Sequence, residues 1–61
     1  MPKKILLVDD EPQILEICRD YLKKSGYDVV TAADGAQGLS AARREKPDLI
    51  VLDLMLLKWT G

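Results

Sequence analysis

The sequence predicts an α/β fold, a doubly wound parallel sheet, and three observations predict it. Residues 5–8, led by Lys4, and 49–57, broken by Asp53, are apolar runs without alternation, as in strands covered on both faces. Between them, Ile14, Ile17, Cys18, Tyr21 and Leu22 recur with the helical period. The elements then alternate strand, helix, strand, helix, strand with short connections, which implies parallel strands joined by right-handed crossovers.

Each element has a local cause. The first strand, residues 4–8, ends in Asp9, Asp10 and Glu11, and Pro12 follows at the first helical position, where its missing N–H costs nothing. The first helix sets its apolar stripe against Glu16, Arg19, Asp20 and Lys23. Lys23 and Lys24 suit the negative end of the helix dipole, and Ser25-Gly26 supplies a left-handed stop. Residues 27–32 are rich in β-branched side chains and read as a strand partly open to solvent. Asp34 with Gln37 three positions on is a helix-start signature. The second helix, residues 35–45, is weak: its apolar face is Ala36, Leu39 and Ala42, and Gly38 in its interior costs about 1 kcal/mol against Ala. Pro47 ends it, and β-branched Ile50 and Val51 favour the third strand.

Composition narrows the function classes. With 61 residues, 48% hydrophobic and 31% charged, the chain is one small globular unit, 1–61. Nine basic and ten acidic residues leave a net charge of −1, which gives no electrostatic case for nucleic acid or an anionic membrane. One cysteine and no histidine exclude an internal disulfide and a Cys/His metal site. Cys18, on the apolar helix face, is expected to be a buried, inert thiol. No run is long enough for a signal peptide or membrane span, so a soluble cytoplasmic protein is expected.

In a doubly wound sheet the first strand lies between the second and third, order 2-1-3, with a topological switch point between strands one and three at their carboxyl ends. Asp9, Asp10 and Asp53 fall there. Neighbouring strands lie ~4.8 Å apart, so these carboxylates come within reach of one ion. An oxygen-only donor set favours a hard divalent cation, Mg²⁺ best. The same acids have a plain structural reading: Asp9 and Asp10 favour a helix N-terminus, and Asp53 is a turn residue. Spacing alone leaves both open.

Three stretches, Ile5-Leu6-Leu7-Val8-Asp9-Asp10-Glu11, Ala32-Ala33-Asp34-Gly35-Ala36-Gln37-Gly38-Leu39 and Pro47-Asp48-Leu49-Ile50-Val51-Leu52-Asp53-Leu54-Met55-Leu56, closely resemble the receiver domains of bacterial two-component response regulators. The resemblance runs from residue 3 to about residue 56. It implies a flavodoxin-like fold in which Asp53 accepts a phosphoryl group from a histidine kinase. It further implies that Asp10 binds Mg²⁺ directly, Asp9 through water, and Met55 through its backbone carbonyl, with Asp53 completing the metal site. No enzymatic activity of its own is implied. An aspartyl phosphatase would want a second Asp where Met55 stands.

The resemblance covers half of such a domain, βαβαβ. The family's hydroxyl residue on strand four and lysine on strand five have no counterpart here, so Mg²⁺ binding and phosphorylation are expected to be weak. Residues 57–61 form a tail that departs from the family pattern Leu-Pro-x-Met-Asp-Gly. Loss of one base from codons for Leu-Pro-Glu-Met-Asp-Gly gives Leu-Leu-Lys-Trp-Thr-Gly, as found at 56–61, so a frameshift is one origin and deliberate trimming another. A third strand left as an edge is a template for another chain. The expectation is a homodimer through the strand from Asp48 to Leu57, with sheet order 2-1-3-3′-1′-2′. The alternative function is therefore a non-signalling half-domain whose activity is self-association.

Overall fold

The computed structural model describes residues 2–52; Asp53, Met55 and the tail 57–61 lie outside the described residues. The elements are β1 (Lys4–Val8), α1 (Pro12–Lys24), β2 (Asp28–Ala32), α2 (Gly35–Glu45) and β3 (Leu49–Leu52). All pairings are parallel and the order is β2-β1-β3, as the alternation of elements predicts. In register, Ile5 lies beside Val29 and Leu49, and Val8 beside Ala32 and Leu52, so the three strands end level.

The core divides at the sheet. On one face Ile5, Leu7 and Leu15 are buried, with Cys18, Leu22, Val29 and Val51 packed against them under α1. On the other, Leu6, Val8, Ala32 and Ala41 form the cluster under α2. Leu6 and Leu7, adjacent on β1, are the two largest fully buried side chains and face opposite helices. Both helices pack chiefly over β1 and β2.

The helix ends follow the sequence. Asp34 accepts a hydrogen bond from the Gln37 N–H at 2.8 Å, and Gln37 Oε1 accepts one from the Ala33 N–H at 3.1 Å. Gly26 takes φ +98°, the left-handed stop after α1, and Lys46 takes φ 49° after α2. The amino ends of the strands are tied by Lys4, whose N–H donates to Asp48 Oδ2 at 2.8 Å and whose Nζ meets Glu45 Oε1 at 2.9 Å.

Three packing expectations need correction. The face of α1 that meets the sheet is turned from the predicted stripe: Leu15, which the stripe left out, is buried with Cys18 and Leu22 packed beside it, whereas Ile17 and Tyr21 are 65% and 70% exposed. On α2 Gly38 and Ala41 are buried and Ala42 packs against the cluster as expected, whereas Ala36 and Leu39 are exposed. Gly38 is the closest approach of helix to sheet, since a Cβ there would lie 2.9 Å from Val8 Cγ2. Its helix-propensity cost therefore accompanies a contact that no larger residue could make without displacing Val8. Among the described residues β3 is not covered on both faces: Leu49, Ile50 and Leu52 are exposed, and Val51 is half-buried.

Candidate functional site

At the carboxyl ends of the strands lies a cleft of about 270 Å³, walled by Val8, Asp9, Asp10, Asp34, Gly35 and Leu52. Its position follows from the topology. β1 sends its chain to one face through α1, and α2 returns on the other face before β3. The loops after β1 and β2 therefore part around the strand ends. Parallel βαβ geometry also brings the N-termini of α1 and α2 to this end, where their dipoles favour negative charge.

Asp9 is the chemically unusual member. It is only 3% exposed, and its backbone N–H donates to the Ala32 carbonyl at 3.1 Å, continuing the β1–β2 ladder for one more residue. Oδ1 accepts a hydrogen bond from the Glu11 N–H at 2.9 Å, which closes the turn into α1. Oδ2 is buried without a partner. A buried carboxylate oxygen without a donor is costly, of order 1–3 kcal/mol or more when charged. The turn explains one oxygen of Asp9 and leaves the other unexplained. A hard cation is the compensation an orphaned carboxylate oxygen accepts, so the residues present fit a divalent metal ion. Asp10, next along, is exposed.

The structure brings Asp9 and Asp10 to one cleft, as the strand-end acids predict; Asp53 and Met55 lie outside the described residues. Asp34, which the sequence marked only as a helix cap, also lines the cleft, and so does Leu52. The signal for Asp34 was its place two residues after β2, whose carboxyl end is level with that of β1. Among the described residues no group of three or more acidic, Cys or His side chains is set to hold a metal ion, and no cation lies at this end of the sheet. No helix among them is long and apolar enough to cross a membrane.

Comparison with known proteins agrees with the geometry. The family described as "Response regulator receiver domain" matches residues 5–61. The alkaline phosphatase synthesis transcriptional regulatory protein PhoP of Bacillus subtilis is 57% identical over 61 residues, all of this chain and 25% of that protein. The probable transcriptional regulatory protein TcrX of Mycobacterium tuberculosis is 43% identical over 60 residues, 98% of this chain and 26% of that protein. The probable transcriptional regulator ycf27 of Porphyridium aerugineum is 51% identical over 59 residues, 97% of this chain and 25% of that protein. The chain thus spans about a quarter of the length of these curated relatives. A parallel sheet ordered 2-1-3, an acidic cleft at its carboxyl end and a family match over nearly every residue lead to one conclusion: the chain belongs to the response regulator receiver domains.

Proposed function

We propose that the chain is a phosphoacceptor module of a phosphorelay, with a histidine kinase as its donor. Asp53 is the acceptor: a carboxylate oxygen forms a bond to phosphorus as the phosphorus–nitrogen bond of the donor imidazole breaks, and the nitrogen keeps the electron pair. Asp10 would hold Mg²⁺ directly, Asp9 through water and Met55 through its backbone carbonyl, with Asp53 completing the set. An Mg²⁺ ion there would supply positive charge to offset that on the phosphoryl oxygens. The observation that carries this reading is Asp9, a carboxylate 3% exposed with one oxygen unpartnered at the mouth of an acidic cleft. Incubation with a small acyl phosphate and Mg²⁺, followed by intact mass, tests it. A slow gain of one phosphoryl group is expected from the 61-residue chain, because the family's strand-four hydroxyl and strand-five lysine are not among its residues. No gain, or the same gain in Asp53→Asn, overturns the assignment.

A second reading, a non-signalling unit whose activity is self-association, is supported by a different observation. The flank of β3 exposes Leu49, Ile50 and Leu52 together. Association of equal strength with and without Mg²⁺ and phosphodonor favours this reading; association that responds to them favours the first.

A further inference from the structure

α2 begins at the cleft. Asp34, its N-cap, lines the cleft together with Gly35, and Val8, Asp9 and Asp10 line it from the end of β1. Two contacts hold the start of this helix in place. Asp34 Oδ1 accepts the Gln37 N–H at 2.8 Å while Gln37 Oε1 accepts the Ala33 N–H at 3.1 Å, so the carboxyl group is fixed by a reciprocal pair of bonds. One turn on, Gly38 sits so close to β1 that a Cβ there would lie 2.9 Å from Val8 Cγ2, and Val8 is the residue before Asp9. The helix that carries Asp34 is thus seated directly on the strand end that carries Asp9.

An N-cap aspartate has a local purpose and by itself asks for no ligand. The observation that does so lies elsewhere in the same cleft: Asp9 is 3% exposed, and its Oδ2 has no hydrogen-bond partner. A buried carboxylate oxygen in that state calls for positive charge. A round cleft of about 270 Å³ is roughly 8 Å across, a distance over which a second carboxylate still attracts a divalent ion through water.

Resting on the phosphoacceptor reading, we propose that Asp34 is a further affinity-determining acid of the cation site. It is not a ligand. Its charge, held on the wall opposite Asp9 and Asp10 by the cap, strengthens the attraction of the cleft for a divalent cation through space. Because Asp34 is exposed, this contribution is modest and is screened by salt, whereas loss of a direct ligand would persist in salt.

The cap makes the charge separable from the fold. Asn and Ser cap a helix about as well as Asp, so Asp34→Asn and Asp34→Ser remove the charge and keep the turn. Asp28→Asn removes the same charge at the other end of β2, ~13 Å further along the sheet, and serves as the control. Amide shifts of Asp9 and Asp10 during titration of the 61-residue chain with MgCl₂ at constant ionic strength give the affinity. Both Asp34 variants are expected to bind Mg²⁺ about two- to fivefold more weakly at ~0.1 M salt, with the difference gone near ~1 M and Asp28→Asn unchanged. No Mg²⁺-dependent shift in the unmodified chain overturns the metal site of the phosphoacceptor reading and this role with it. Unchanged affinity in the Asp34 variants, a loss confined to one of them, a loss that Asp28→Asn reproduces, or a loss that persists in high salt overturns the role of Asp34 alone. Should the Asp34 variants not fold by circular dichroism, the unmodified chain decides: the Asp34 and Gly35 amides are expected to shift with those of Asp9 and Asp10, and amides there that ignore Mg²⁺ overturn the role.

Discussion

The two strands that flank β1 contain similar residues and meet different fates among the described residues. β2, Asp-Val-Val-Thr-Ala, buries Ala32, half-buries Val29 and Val30, and turns Asp28 and Thr31 to solvent. β3, Leu-Ile-Val-Leu, is the more hydrophobic of the two and leaves three of its four side chains exposed. The cause is the path of the chain. α1 joins β1 to β2 on one face, α2 crosses back on the other, and both lie over β1 and β2. Strand composition states a capacity for burial, and the crossovers decide where it is used.

Substitutions on the two sides of β1 put that contrast at risk. The largest effect is expected from Leu7→Ala, which empties a fully buried position under α1 and costs about 2–5 kcal/mol. A domain of this size has little more to lose, so circular dichroism should show a largely unfolded chain. Gly38→Ala comes next. The helix gains up to about 1 kcal/mol in propensity, but the new methyl group meets Val8 Cγ2 at 2.9 Å, an overpacking that costs about 1–3 kcal/mol. Net destabilisation in urea denaturation is expected, and Val8→Ala in the same chain should reverse it to a net gain from the alanine. On the uncovered side, Leu49→Thr should cost under about 1 kcal/mol when measured at dilutions where the chain is unassociated. A loss there equal to that of Leu7→Ala would erase the distinction between the two sides.

The smallest effect concerns pH at the amino ends of the strands. Glu45 is held below its ordinary value of 4.5, first by the hydrogen bond from Lys4 and then by that from Arg44. A carboxylate lowered on folding contributes fully above its unfolded value. That contribution fades as pH falls below 4.5 through the lowered, folded value. Glu45→Gln should therefore flatten the acid limb of stability against pH slightly and leave the neutral plateau nearly unchanged, because the pair is solvent-screened. An unchanged acid limb would place the Lys4–Glu45 contact among those with no energetic weight.

The acidic cleft was legible in part. The first apolar run, ending in carboxylates, marks Asp9 and Asp10 without any structure, because acids after a buried strand need a partner. That Asp9 is buried and divides its oxygens, one to the Glu11 N–H and one to nothing, depends on the turn into α1 and could not be read from spacing. Asp34 was legible as a cap and not as a cleft wall, since capping is local and the level ends of β1 and β2 are not.

The sequence by itself determined the elements, the ends of both helices and the parallel 2-1-3 order, because periodicity, Pro12, Gly26, Asp34 and Pro47 act over a few residues, and short crossovers admit one handedness. Only the tertiary structure decided which positions of each helix are buried. A helix touches a sheet along a line narrower than its apolar face, so the rotation that buries Leu15 leaves Ile17 and Tyr21 in solvent, and the approach that buries Ala41 is as close as it is because position 38 has no side chain.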